Sequence, residues 1–513
     1  MSNKSTHDFE KIFDLLHANE LDDLEARGTQ ATRSIGSWMI YPSSIRWFDG
    51  ALYCLLTDGL QRSLVTLAQE GKLPSDAKGA RSAASGVELD VQAISWESYL
   101  YLKERFPYVA PVSLRDRKTT IGTGDRLGLA TPGHIRAVRS FPVAPVLAQQ
   151  SIRELNLTGR NYRGVVADAG FGVFQEGFEG GYGADGDHLK TIDDINTALE
   201  ADMPMITLDL TEVMDPAPSE WSPAAVESGF EDLDSDIKRF VLEYADKRFD
   251  IEGEIVIPRI EAMRCGLMYW RAIEFAGEVD THIRRHRGDA YDLEISIDET
   301  EAPTHPAHHL FIARELERRG VTVNSVAPRF IGEFQKGIDY IGDLDQFEKQ
   351  FEIHARIARF HDYKISVHSG SDKFSVYPTI GKYTGFKVHV KTAGTSWLEA
   401  VRTVSNADPD LYRLMHAKAY VHFPEATKLY HITADLGRIP KLDELADEGL
   451  SAFLEQNESR QLLHVTYGGL LNDSEVRERF FRFLSLNEES HYKTVSSHIR
   501  RHVETLGIQS ADG

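Results

Sequence analysis

The sequence predicts a parallel (β/α)8 barrel of the TIM type, with an N-terminal α/β extension and C-terminal helical additions. Two observations carry that prediction. From about Thr120, short apolar or β-branched runs alternate with longer stretches of helical spacing. Eight such alternations are the signature of a closed parallel sheet wrapped in helices. Polar residues also gather at the C-terminal ends of the runs, where a barrel carries its chemistry. A doubly wound open sheet is the competing architecture.

In chain order, the expected strands are 119–130, 179–187, 204–210, 291–298, 321–329, 364–369, 386–393 and 418–423. Helical spacing fills His305–Arg319, Gln346–His361 and Ser396–Met415 between them. Pro216, Pro218 and Pro223, followed by the acidic run Glu231–Asp236, mark an insertion at 213–250 after the third expected strand. It leads into helices from Ile237 to Arg285. Before the barrel, residues 1–118 read as a mixed α/β region, with helices at Phe9–Leu24 and Gly59–Gln69 and a loop at Pro74–Ser85. The barrel is assigned 119–423. The remainder, 424–513, adds helices such as Ser474–Leu484 and Tyr492–Thr505.

Composition narrows the function. The 513 residues carry 57 Lys and Arg against 79 Asp and Glu, a net charge of −22. A field of that sign disfavours nucleic acid and anionic lipid but permits a local basic pocket for a small anion. No apolar run approaches the ~20 residues that span a bilayer, and the polar Met1–Glu10 lacks the apolar core of a signal peptide. Two cysteines, Cys54 and Cys265, make no disulfide framework. A cytoplasmic setting follows. The oligomeric state, a homo-oligomer included, stays open.

The first strand runs into Gly124-Asp125-Arg126-Leu127-Gly128, where Arg126 can fork onto a carboxylate or pair with Asp125 in a tight turn. The second ends in Asp185-Gly186-Asp187-His188-Leu189-Lys190-Thr191, the densest polar cluster in the chain. There an imidazole suits a divalent metal and an adjacent carboxylate suits a general base. The alternative is a helix cap at Asp187 or Thr191. The strand 291–298 puts Glu294, Ser296 and Asp298 on the inward face, where carboxylates need a partner cation. His305, His308 and His309 follow at a helix start, with His309 a reserve ligand. Arg329, Gln335 and Lys336 lie near the expected mouth. His368 sits on the inward face as a strand meets Ser369-Gly370, a good ligand position. Lys391 shares a face with His389 before a helix start suited to anions. No phosphate-binding loop, His-Glu-x-x-His, zinc cysteine cluster or dinucleotide fingerprint occurs in a convincing context, so no nucleotide cofactor is expected.

Gly124–His134 (GDRLGLATPGH), Gln149–Leu155 (QQSIREL), Asp187–Thr191 (DHLKT), Ala327–Phe330 (APRF) and Ser366–Lys373 (SVHSGSDK) resemble the tagaturonate/fructuronate epimerase family across roughly 120–430. The resemblance implies a metal-dependent isomerase on a barrel scaffold that interconverts two hexuronate-derived keto acids. His188 and His368 fall at metal-ligand positions with Gln335 as third, and Asp187 and Glu294 at acid/base positions. The metal would be Zn, Ni, Mn or Co. Asp125, Arg126, Lys190, Asp298, Arg329, Lys336 and Lys391 are then candidates to hold a small anionic keto-sugar acid. Retro-aldol cleavage and re-addition is the simple route. A keto-acid aldolase or isomerase on the same site, and a non-catalytic sugar-acid binder, are the alternatives.

Overall fold

The computed structural model describes residues 33–35, 38–84, 86–298, 300 and 302–511. The helix expected at Phe9–Leu24 lies outside the described residues. Seven strands open the fold: β1 (Arg33–Ile35), β2 (Trp38–Ile40), β3 (Arg46–Phe48), β4 (Ala51–Thr57), β5 (Arg62–Gln69), β6 (Ala80–Ala84) and β7 (Val87–Ala93). They form an antiparallel sheet of order β1-β2-β4-β5-β7-β6, with β3 on β4. The helix expected over Gly59–Gln69 is therefore strand β5, and the expected loop Pro74–Ser85 contains β6. The reason is that both faces of this sheet are apolar. Leu64 and Ala68 face the main core, while Val65 and Leu67 join Leu52, Cys54 and Leu56 on the other side. Two apolar faces in alternation imitate helical spacing. Ser95 then caps the helix Trp96–Arg105, which packs Tyr99 and Leu102 against the sheet and the barrel helix Tyr162–Glu176.

The barrel closes through β8 (Thr119–Gly122), β9 (Ala144–Ser151), β10 (Gly183–Leu189), β11 (Met205–Asp209), β14 (Asp292–Ile297), β15 (Ser325–Pro328), β16 (Lys364–Val367) and β17 (Val388–Lys391). Every pairing is parallel, and β17 returns to β8. Two expectations fail here. The run 144–151 was not expected as a strand, yet all eight of its residues are buried. Its Pro145 and the pair Gln149-Gln150 break the apolar pattern, and Pro ordinarily argues against a central strand. The run 418–423, expected as the eighth strand, belongs to the helix Pro409–Ala426. Its alternation is superficial: Leu411, Met415 and Ala419 form the buried stripe, while Val421 is 72% exposed. The expected helix Ser396–Met415 divides at Asp408, whose carboxylate caps a new helix with Pro409 in its first turn.

Because β9 enters the count, the insertion follows the fourth strand. It holds two short helices (Pro223–Glu231 and Ser235–Leu242) and the hairpin β12 (Lys247–Asp250)–β13 (Glu254–Ile257). The 29-residue helix Arg259–Arg287 returns the chain to β14. The C-terminal helices bury a second core with Trp397, Leu398 and Val401. The last of them, Glu488–Thr505, lies so close to Thr131–Val138 that a Cβ on Gly133 would meet Tyr492 O at 2.9 Å. Among the described residues no helix is long and apolar enough to cross a membrane.

Candidate active site and metal centre

The site starts from an irregularity in β10. Neighbouring residues of a strand face opposite ways, which would separate Asp187 from His188. The pairing of β10 with β11 shifts between Gly186 and Leu189, and His188 has φ 54°. Such a bulge re-aims side chains at a barrel rim. It leaves His188 Nε2 3.8 Å from Asp187 Oδ1, so both face the mouth. The helix Ile192–Glu200 is capped by Thr191, not by Asp187, which frees Asp187 for other work.

From β14 and β16 come Glu294, Asp298 and His368. His368 Nε2 lies 2.6 Å from Glu294 Oε1, and its Nδ1 lies 3.0 Å from Asp298 Oδ1 without the alignment of a hydrogen bond. The rings of His188 and His368 sit edge to face at 4.9 Å. His188, Asp298 and His368 bring one ligand atom each within 4.8 Å of one another. Burial disfavours charge on His368, but Asp298 and then Glu294 outweigh it and push its pKa up to about 10. The surroundings thus call for a cation at this imidazole. Nδ1 of His188 and of His368 lack hydrogen-bond partners in this buried place. Two such nitrogens beside a carboxylate fit a borderline divalent ion. Asp298, expected as a substrate contact, lies both beside these two imidazoles and in the lining of the cavity at the mouth.

Behind this group Lys391, expected as a substrate contact, is buried among carboxylates. Its ammonium donates to Asp187 Oδ1 and Thr207 Oγ1, each at 2.6 Å, and lies 3.1 Å from Asp185 Oδ2 and 2.9 Å from Glu294 Oε1. Glu294 also accepts from Ser325 Oγ at 2.6 Å. Burial raises the cost of charge on Asp187 and Glu294, but Lys391 reverses it and holds both below the usual carboxylate range. Asp185 goes the other way: burial outweighs Lys391 and raises its pKa. The inward Glu294 is thus both ion-paired and part of the site. Its charge partner lies 97 residues away, so spacing could not show the pairing.

The remaining expected residues divide into two groups. A cavity of about 240 Å³ is lined by Arg153, Asp298, Arg329, Gln335, Lys336 and His368, with Tyr430 and His431 from the C-terminal part. Lys336 donates to Ser369 Oγ at 2.9 Å. Gln335 lies at this cavity, but its Oε1 already accepts from Thr433 N, Thr433 Oγ1 and Gln461 Nε2. Lys190 stands at the edge, 3.6 Å from Asp209 Oδ2 and 3.7 Å from Glu212 Oε1. Asp125 and Arg126 do not pair with each other. The Asp125 carboxylate accepts from the amides of Leu127, Gly128 and Ala130. Arg126 Nε donates to Glu154 Oε1 at 3.0 Å, and its guanidinium stacks 3.8 Å over Tyr467. Arg126→Ala is therefore expected to destabilise the fold by about 3–5 kcal/mol, since it strands a buried carboxylate. Urea unfolding checks this; a raised KM at unchanged stability would mean substrate contact instead. His309 is a core residue, bonded to His354 and Tyr363.

Asp185 and Arg153 lie in runs that the sequence singles out but receive no role there, and Thr207 and Asp209 are not singled out at all. Arg153 follows the unrecognised β9. Thr207 and Asp209 alternate along β11, and Asp185 precedes Asp187 by the strand period, so an inward-face pattern was there to find. A second cluster, Asp372, His498 and His502, also has metal-like spacing. Its atoms are occupied: His502 Nε2 accepts from Asp372 N at 3.0 Å, and Asp372 Oδ2 accepts from Arg460 at 2.7 Å.

Comparisons with known proteins identify the family. A family model described as tagaturonate epimerase matches residues 41–506. The tagaturonate/fructuronate epimerase of Thermotoga maritima is 41% identical over 471 residues, covering 91% of this chain and 96% of that protein. The native crystal structure of the fructuronate-tagaturonate epimerase UxaE from Cohnella laeviribosi superposes with a TM-score of 0.89 at 42% identity, covering 98% of this chain and 99% of that one. A glycerol complex of the same enzyme gives 0.88 at 42% identity, covering 96% and 100%. The chain belongs to the tagaturonate epimerase family.

Proposed function

We propose that this protein interconverts D-fructuronate and D-tagaturonate with a divalent metal held by His188, Asp298 and His368. Gln335 would join as a fourth ligand only by releasing Thr433 and Gln461. The observation that supports this most is the convergence of those three groups beside two ionised carboxylates, Asp187 and Glu294, at one barrel mouth. In this reading the barrel portion, 119–423 with its insertion at 213–250, carries the chemistry. Of the flanking parts, 424–513 adds Tyr430 and His431 to the cavity at its mouth.

The carbon to be inverted bears a hydroxyl β to the ketone, so direct enolisation does not acidify its hydrogen. Retro-aldol cleavage solves this. One carboxylate removes the hydroxyl proton, the carbon–carbon bond breaks, and the aldehyde rotates before the bond re-forms on its other face. The proton held by the first carboxylate passes to the new alkoxide by way of the second, so both carboxylates end ionised as they began, and the reverse reaction exchanges the roles. A bound metal would supply positive charge where negative charge develops. Lys391 keeps Asp187 and Glu294 ionised and fixed in position. Arg153, Arg329 and Lys336 supply positive charge at the cavity that retains the substrate carboxylate while the fragment turns.

Incubation of purified protein with fructuronate, followed by NMR, tests the proposal. Tagaturonate should appear, and chelator should stop it until metal is restored. Stable fragments would identify an aldolase; unchanged substrate with measurable binding would identify a binder.

A further inference from the structure

The opposite end of the barrel holds a larger cavity, about 670 Å³, that the epimerase chemistry does not use. It is lined by the segments that lead into four neighbouring staves: 115–118 before β8, 321–324 before β15, 361–364 into β16, and Lys387 before β17. Five of its lining residues are cationic: Arg115, Arg117, Lys118, Lys364 and Lys387. In a chain of net charge −22 this is a local reversal of sign.

This cavity gathers cations with few counter-charges. Arg126 sits on Glu154 and Arg460 on Asp372, and the buried Lys373, which has no carboxylate partner, is held by the carbonyls of Gln335, Ile338 and Ser371. Here only Lys387 has a carboxylate within 4 Å among the described residues, and that partner, Asp362, is 93% exposed. Lys364 is 1% exposed, and its ammonium donates to one backbone carbonyl, Leu114 O, at 3.1 Å. The buried Asp292, which attracts Lys364, is already bonded to Ser113 and Leu114. Burial pulls the Lys364 pKa down to about 8, against the opposing attraction of Asp292. Arg115 has an unpartnered buried Nε. The other acids of the lining, Asp116 and Glu317, lie exposed at its rim.

We propose that this cavity binds a small dianion of the phosphate type, with Lys364 at its floor and Arg115, Arg117 and Lys118 around it. Four cations without carboxylate partners exceed what one monocarboxylate neutralises, which favours a doubly charged phosphoryl group. Inorganic phosphate and a phosphorylated metabolite share this chemistry.

Calorimetric titration of the full chain with inorganic phosphate, at ionic strength matched with chloride, tests the site. Saturable binding is expected, and Lys118→Glu, an exposed position, should weaken it at least tenfold while epimerisation without phosphate is unchanged. Lys364→Met should abolish binding; since that variant could misfold, Lys118→Glu carries the decision. His368→Ala should bind phosphate normally. Binding that survives Lys118→Glu but fails in His368→Ala would place phosphate at the mouth and overturn the proposal, as would the absence of saturation. Titration with a sugar phosphate then separates the two sources: tighter binding than phosphate identifies a metabolite site, equal binding a phosphate site.

Discussion

His368→Ala is expected to lose bound metal and epimerase activity together, with kcat/KM falling by about 10³-fold or more. The imidazole is one of three converging ligand groups, and two do not hold a divalent ion in fixed geometry. The fold should persist. Glu294, which loses its 2.6 Å contact to His368, keeps Ser325 and Lys391 as partners. Metal analysis of the purified variant beside the NMR assay checks both halves. Full metal occupancy in His368→Ala would sink the ligand assignment.

Lys391→Met is expected to lower stability by about 3–5 kcal/mol at neutral pH and to silence the enzyme. One ammonium serves Asp185, Asp187 and Glu294, and its removal leaves three carboxylates in a buried cluster with no lysine between them. The pH dependence of the loss follows from the shifts. In the parent protein Asp187 and Glu294 titrate below their ordinary 3.8 and 4.5. Their ionised pairing therefore adds stability above that range and loses it as pH falls. Without Lys391 burial and mutual repulsion raise the carboxylate pKa values. The folded variant then takes up protons that the unfolded chain has lost, so it should regain stability as pH falls from 7 towards 5. Urea unfolding at both pH values measures this. A deficit independent of pH would mean that Lys391 acts by packing alone. Asp185→Asn added to Lys391→Met should recover part of the loss, because it removes one stranded charge.

Much of the barrel was legible because helix and strand differ in hydrophobic period. Seven of its eight strands begin as alternating or apolar runs bounded by polar turns. The misreadings of β5 and β9 share one cause. In β5 and β9 both faces are covered, so a period-2 pattern does not separate inside from outside. Residues 418–423 show the converse, alternation on a helix whose buried stripe lies elsewhere. The candidate site was legible to the extent that its residues end strands. Asp187, His188 and His368 lie where strands meet turns, Glu294 lies on the inward face within β14, and the structure draws all four together.

The sequence by itself determined the kind of site: inward carboxylates and imidazoles at barrel strand ends, in an acidic chain with a basic mouth. Only the tertiary structure decided which group serves which. Asp298 lies beside His188 and His368, Gln335 is engaged by Thr433 and Gln461, and Arg126 is tied to Glu154. Lys391 became the shared counter-ion of three carboxylates. The physical reason is that residue type and strand phase are local, whereas charge partners are chosen by burial among elements far apart in the chain. A buried lysine is assigned by whichever carboxylates share its low-dielectric surroundings, and spacing in sequence carries no record of them.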